Sequence, residues 1–440
     1  MITKRILIFF LLIGINVFAQ EKKWTLQECV DYAIKNNISV KQSELDLKTS
    51  DVEKLEAIGG FLPSLSGNAN YSINTGANIN PATNQFENQT FKSFSASANS
   101  SVTLFNGLAN WKTLQRTKLN KIANEYRLDK MKDDIALSVA NSYLQILFNK
   151  EQLKVQKNQN QITKENIKRT QQLIEAGSVP AGDIYELQAT DATQEQQIIS
   201  TENTLIISKL ALCQTLLLED YATFDISDET IDIPMTDIVN ESQEAILEKA
   251  REAVKDIKIA ESNVSIAKKD LSITRSGYLP TLTGFVGYNT RWSESAVLNF
   301  VDQLSLFDGT SIGLQLNVPI LNGFSTRGRV QRSKINLQRT EFQLTQAELD
   351  LERNVYQAYN DVVNAKKSFE AAEKTLEARK LAYDFAKERY EVGLMNSFDF
   401  SQSSITFENA QSEVLRTKYD YIFRTKILEF YFGIPLIQKQ

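Results

Sequence analysis

Asp183 and Glu186, and again Asp399 and Gln402, set an acid three residues ahead of a second acid or an amide. That is the spacing of a capping box, in which a carboxylate accepts backbone N–H groups at a helix start. Other chemistry is scarce. With no histidine and no CxxC among 440 residues, Ser-His-Asp, Cys-His and the common zinc constellations are excluded. Catalysis by carboxylates or lysine alone stays formally open, yet no pair of acids is framed by the turns or glycine-rich loops such sites occupy. No cofactor is expected. Cys29 and Cys213, the only cysteines, stand on predicted helices among apolar neighbours and read as buried thiols; in an exported protein a disulfide is also open to them. A formal charge of −5 argues against nucleic acid as a partner.

The two acidic motifs belong to a larger duplication, one unit written twice about 216 residues apart. Phe61-Leu62-Pro63-Ser64-Leu65 is matched by Tyr278-Leu279-Pro280-Thr281-Leu282, and Val102-Thr103-Leu104-Phe105-Asn106-Gly107 by Val318-Pro319-Ile320-Leu321-Asn322-Gly323. Glu175-Ala176-Gly177 is matched by Glu391-Val392-Gly393, each with an aspartate six residues past the glycine. The chain therefore divides into residues 20–220 as repeat 1, 221–241 as a connector holding Pro234, and 242–440 as repeat 2. Residues 1–19 carry Lys4, Arg5, an apolar run from Ile6 to Ile15 and small-residue spacing at Val17 and Ala19, a secretory signal pattern with cleavage expected before Gln20. A signal anchor is the alternative, but the run is shorter than the ~18 to 20 apolar residues of a spanning helix. No cysteine stands at the junction to carry a lipid anchor, and removal of Lys4 and Arg5 takes the charge from −5 to −7.

Within a repeat the periodicity changes twice. Thr25-Leu26-Gln27-Glu28 opens a helix as a capping box, and an apolar stripe runs to near Ile58, where Gly59, Gly60 and Pro63 end it. From Leu65 to Ile73 odd positions are apolar or small and even positions are polar; Phe94 to Leu104 alternates likewise. Leu282 to Trp292 and Ile312 to Ile320 do the same in repeat 2, except that Phe285 breaks the polar face. Strands of about 10 to 13 residues match the ~9 to 11 tilted residues that cross a bilayer, and are about twice the soluble mean. A soluble sandwich would show the same alternation. The polar stretches Asn74 to Thr90 and Ser293 to Asp308 read as hairpin loops, and Phe61, Phe105, Tyr278 and Trp292 stand where aromatic girdles belong.

Between Leu108 and Ala176, and between Val330 and Val392, there is neither glycine nor proline, so helices of roughly 100 Å are expected. Ile135, Val139, Tyr143 and Ile146 in one, and Leu351, Val355, Tyr359 and Val362 in the other, form a coiled-coil-like seam. Gly177 and Gly393 end these helices, and returning helices resume at Asp183 and Asp399. Four strands in lipid leave two open sheet edges, each exposing roughly five or more backbone groups at several kcal/mol apiece. One copy cannot stand alone. Two copies give eight strands, an interior filled by side chains; three give twelve and room for a lumen.

Taken together, the Leu26-Gln27-Glu28 opening with Ala33 and Asn37, the two Leu-Pro junctions, Val318 to Gly323, and Val392-Gly393-Leu394 followed by Asp399 resemble the TolC-like family of outer-membrane efflux and secretion channels, over essentially the whole mature length. The resemblance implies a mainly α protein with membrane β: a homotrimer whose twelve-stranded β-barrel in outer-membrane lipid continues into an α-helical periplasmic tunnel. It implies a periplasmic adaptor protein and an inner-membrane pump as partners, and passive export of drugs, metals, metabolites or proteins. Asp183, Glu186, Asp399 and Gln402 would then ring a periplasmic aperture, although the family can carry two aspartates where this chain has Asp399 and Gln402. Ala176, Gly177, Ser178, Val392, Gly393 and Leu394 would form the adaptor-docking tips. Lys387 and Arg389 would either bridge to neighbouring acids or remain solvated. The competing reading is a structural or adhesive outer-membrane protein whose coiled coils merely span the periplasm.

Overall fold

The computed structural model describes residues 23–79, 85–219, 221, 223–228, 238, 241–294 and 298–434. The expected signal peptide lies outside them, as does most of the connector. The elements of repeat 1 are β1 (Lys23–Trp24), α1 (Leu26–Asn36), α2 (Ile38–Gly59), β2 (Ser64–Ile79), β3 (Phe86–Phe105), α3 (Ala109–Glu175) and α4 (Asp183–Leu216). After β4 (Asp225–Ile226) come α5 (Gln243–Ala253), α6 (Lys255–Ser276), β5 (Thr281–Ser293), α7 (Phe300–Leu306), β6 (Gly309–Asn317), α8 (Ser325–Glu391) and α9 (Ser397–Tyr431). The described residues form two compact units, one drawn from the ranges 1–42, 129–254 and 349–440, the other from 43–128 and 255–348. Among the described residues no helix is long and apolar enough to cross a membrane.

The capping box at Thr25 forms as expected, with Thr25 Oγ1 accepting from Glu28 N and Glu28 Oε2 accepting from Thr25 N. The helix behind it is not continuous. It breaks at Asn37 (φ −57°, ψ 135°), whose Nδ2 donates to Thr215 O at 3.1 Å and whose Oδ1 accepts from Ser39 N at 2.9 Å. Repeat 2 breaks equivalently at Val254 (φ −75°, ψ 125°).

The first unit has an apolar core around Cys29, Val30, Val139, Tyr143, Ile146, Leu212, Cys213 and Leu216, so both cysteines are buried thiols of one cluster. Val139, Ile146, Val355 and Val362 are fully buried, which bears out the seam. The parallel pair β1 and β4 lies against this core, where Tyr143 Oη bonds Trp24 O and Ser227 Oγ at 3.2 and 3.0 Å. Lys150 ties the connector down through Asp225 and Asp228, each at 2.8 Å. Hydrogen bonds from Lys150 and Lys23 hold the Asp228 carboxyl at about 2.

The second unit carries one antiparallel sheet in the order β2-β3-β5-β6, with β2 and β6 as its edges. Its alternation is as read, and the apolar face points outward: Leu65 is 79%, Leu314 68% and Ile312 78% exposed. A sandwich would bury that face, so the soluble alternative fails. Two expected loops are corrected. β2 and β3 pair without interruption from Ser64↔Ser101 to Ile79↔Phe86, through most of the stretch Asn74 to Thr90. A cross-strand hydroxyl pair, Thr75···Thr90 at 2.9 Å, does there what apolar pairs do lower down, with Ser72···Ser93 at 2.8 Å just below it. In repeat 2 the stretch after Ser293 holds α7, capped by Asn299 Oδ1 accepting from Asp302 N at 2.9 Å. Phe285, the break in the polar face, lies over Gly313, where a Cβ would sit 2.7 Å from its Cζ. β6 stops at Asn317, earlier than the expected Ile320, because Pro319 has no N–H to give a ladder.

Strand passes to helix through paired left-handed residues, Gly107 and Leu108 (φ 65° and 62°) and Gly323 and Phe324 (φ 57° and 61°). A Cβ on Gly107 would lie 2.9 Å from Leu279 Cβ and 3.0 Å from Ser276 O, and Ser276 Oγ donates to Gly107 O at 2.7 Å. A Cβ on Gly323 would meet none of the described residues within 4 Å.

Candidate functional site at the helix tips

Each long helix closes in the same way. Gly177 (φ 72°) sends its N–H to Ile174 O at 2.9 Å while Ser178 N bonds Leu173 O at 2.9 Å. Gly393 (φ 77°) bonds Tyr390 O at 3.1 Å while Leu394 N bonds Arg389 O at 2.8 Å. Both are Schellman closures, which only a residue at ease in the left-handed region completes without strain. The expectation of helix-ending glycines holds.

The capping reading of the acids does not. α4 starts behind Gly182, which makes no side-chain cap, so Asp183 is the first residue of the helix. At α9 the cap is Asn396, whose Oδ1 accepts from Asp399 N at 2.8 Å and whose Nδ2 donates to Asp399 Oδ2 at 2.9 Å. Asp399 is the third residue of that helix, one turn later than its spacing suggested. Asp183 and Glu186 are half-buried, whereas Asp399 and Gln402 are exposed. All four stand in or next to the first turns of α4 and α9, where acids complement the helix dipole. Among the described residues none of the three carboxylates is in an ion pair, and the two motifs do not touch directly. Their helices are joined just behind them, by Thr190 Oγ1···Ser401 Oγ at 2.8 Å.

Residues that sequence reasoning passed over hold the tip together. Phe400 is buried against Tyr390, rings stacked at 4.5 Å, and Tyr383 stacks on Phe407 at 5.0 Å. Tyr390 Oη meets Thr170 Oγ1 at 2.5 Å, and Arg169 Nη1 pairs with Glu391 at 3.0 Å, so hairpin α3/α4 is bonded to hairpin α8/α9. Lys387 and Arg389 are exposed, and among the described residues they form no ion pair.

Toward the tips the interface between the hairpins is polar. Gln159 donates to Ser404 Oγ at 2.5 Å, Gln152 to Ser412 Oγ at 2.7 Å and Gln194 to Glu408 Oε2 at 3.0 Å. Amide and hydroxyl pairs exchange for water at little net loss, about 0.5 to 1.5 kcal/mol each, whereas an apolar seam does not. Burial raises the Glu408 carboxyl above its usual value despite the bond from Gln194. A carboxyl raised on folding favours the closed seam while protonated, and that contribution fades as pH rises above the ordinary value of 4.5. Glu408→Gln keeps a hydrogen-bonding side chain without the charge, so it is expected to raise the melting temperature at neutral pH and flatten its pH dependence between 4 and 7. Thermal melts across that range check this.

Among curated protein sequences none matches. Among solved structures, a membrane protein from Pseudomonas aeruginosa superposes with a TM-score of 0.78 at 16% identity, covering 93% of each chain. The CmeC outer membrane channel of Campylobacter jejuni gives 0.76 at 18%, covering 93% of this chain and 85% of that one. The outer membrane protein VceC of Vibrio cholerae gives 0.74 at 15%, covering 93% and 96%. At such identities the likeness establishes the fold. The family model described as outer membrane efflux protein matches residues 29–216 and 246–432, one segment for each repeat. With both halves of the duplication matched, this chain belongs to the outer membrane efflux protein family.

Proposed function

We propose that three copies of this chain close into one passive exit duct, a twelve-stranded barrel in outer-membrane lipid reached through their helices. A periplasmic adaptor opens the duct and an inner-membrane pump feeds it. The observation that carries this reading is a contact made once where the duplication calls for it twice. Repeat 1 packs its junction at Gly107 against Leu279 and Ser276 of repeat 2, and Arg116 pairs with Asp270 at 2.7 Å. The counterparts one repeat on are Gly323 against Leu62, and Arg332 against Glu53. A Cβ on Gly323 would meet no described atom within 4 Å, Leu321 is 95% exposed, and Arg332 is exposed. A second copy set against the first as repeat 2 is set against repeat 1 supplies all of these partners and pairs β6 with the neighbour's β2. Such a head-to-tail contact is satisfied only in a closed ring. Eight strands would leave an interior wide enough only for side chains, and the face that would line it is mostly Ser, Asn, Thr and Gly, suited to water.

Leu62→Cys combined with Gly323→Cys tests the ring. Covalent trimers should appear on a non-reducing SDS gel of outer membranes; a monomer band alone would sink the assembly. In the same reading Asp183, Glu186 and Asp399 line the periplasmic aperture, with Gln402 beside them; none of the four is the cap residue of its helix. Asp183→Ala with Asp399→Ala is expected to lower cation preference in planar bilayers, most clearly at low salt. Currents identical to wild type at every salt concentration would remove the acidic aperture.

A further inference from the structure

Where β2 and β3 are paired with β5 and β6, the polar face carries one ionisable side chain. Its described residues are Ser64, Ser66, Asn68, Asn70 and Ser72 with their cross-strand partners, all Ser, Thr, Asn, Gln, Gly or Phe285 apart from Arg291. Arg291 is in the row Asn70↔Ser95↔Arg291. It is ten residues beyond Thr281, where β5 leaves its helix. At ~3.3 Å per residue and a tilt near 40°, that is about 25 Å up, the height of an outer-membrane barrel's apolar band. The charge therefore stands at the mouth of the barrel, on the side away from the helices.

A cavity of about 600 Å³ opens at this row, lined by Asn68, Asn70, Ser97, Asn289, Arg291 and Phe307 among others. The guanidinium lies over the Phe307 ring, 5.6 Å from its centroid. Stacking of that kind orients the planar cation and leaves its edge N–H groups open to a ligand. Among the described residues no carboxylate lies within 4 Å of it. Asp308 also lines the cavity, from the loop just before β6, but it makes no ion pair with the guanidinium. What remains is a forked cation flanked by amide and hydroxyl donors, the composition that binds carboxylates, sulfonates and phosphates.

We propose that Arg291 with the amides and hydroxyls of its row forms an anion-binding station at the outer end of the lumen, taking small solutes that carry carboxylate or phosphate. This rests on the reading that three copies close into one barrel. Closure sets three guanidinium groups around a narrow, water-filled passage with lipid behind it, where like charges focus the field and raise the local concentration of anions.

The test is block of single-channel current by citrate added at the barrel mouth of the intact trimer in a planar bilayer. Wild type is expected to be blocked at a citrate concentration at least tenfold below that needed for Arg291→Gln. Arg291→Lys should lie between them, since it keeps the charge and loses the fork. Arg291→Glu should be insensitive to citrate and blocked instead by hexaamminecobalt. A conducting wild-type trimer whose citrate block is unchanged in Arg291→Gln overturns the station and leaves the duct standing. A wild-type protein without conductance overturns the duct, and the station with it.

Discussion

Ile312→Arg is expected to deplete the folded trimer from the outer membrane almost completely. Ile312 is opposite Val286, near the middle of β5, and belongs to the outward apolar face with Leu314, Leu316 and Leu65. If that face met water, an arginine at a position 78% exposed would change stability by no more than about 0.5 kcal/mol. Facing lipid near the midplane, it costs about 2 to 4 kcal/mol in each copy. Three copies bring the penalty to roughly 6 to 12 kcal/mol per trimer, comparable with the whole stability of an ordinary protein. Gln315→Arg, three residues along on the polar face, places the same charge in the lumen and should assemble normally. Quantifying SDS-resistant trimer in outer-membrane fractions separates the two. Equal amounts for both variants would mean that the apolar face does not meet lipid.

That face was readable from residue types because alternation is local: Leu65 to Ile73 declares its period over nine residues, whatever lies elsewhere. The extent of the strands was not. Asn74 to Thr90 has the composition of a loop, and it becomes ladder because Thr75 and Thr90 meet across the hairpin, a pairing visible only once the register is set. α7 left a legible signal in Asn299-x-x-Asp302, overlooked because its helix is only seven residues long. At the tips the glycines could be read and the cap could not. Asn396 and Asp399 satisfy the same rule one turn apart, and composition does not say which of them starts the helix.

The bonds that join the hairpins were out of reach for another reason. Gln159 and Ser404 are 245 residues apart, and neither differs from any solvated polar residue until their helices are placed side by side. The break at Asn37 was equally silent. It has neither glycine nor proline, and its extended backbone is held by a bond to Thr215 that closes only in the folded protein. Local rules thus located most elements and the glycine ends of the long helices, whereas strand extent, the break at Asn37 and the contacts between hairpins depend on pairings between distant segments.

Gly393→Arg is expected to abolish export while leaving the isolated channel nearly intact, and Gly177→Arg likewise to a smaller degree. The two glycines do one job inside the chain, taking a positive φ, and neither has an atom within 4 Å of where a Cβ would project. Substitution therefore costs backbone strain of about 1 to 2 kcal/mol and no collision within the copy. Helix ends need nothing more from them. Around Gly393, however, Val392 and Leu394 are 69% and 70% exposed at the end of a helical hairpin, and none of the described residues covers them. Apolar side chains flanking a missing one make a seat into which a partner's hairpin can press its backbone, and the seat vanishes when an arginine fills it. Gly393→Asn is the control, because asparagine tolerates the left-handed region and adds little bulk. If docking matters, Gly393→Asn retains most export while Gly393→Arg loses at least tenfold, and both show wild-type conductance and trimer stability in bilayers. If the glycine serves only the helix end, export in Gly393→Arg follows trimer stability, and cross-linking to the adaptor is unchanged. The second pattern would remove the tips as the docking site.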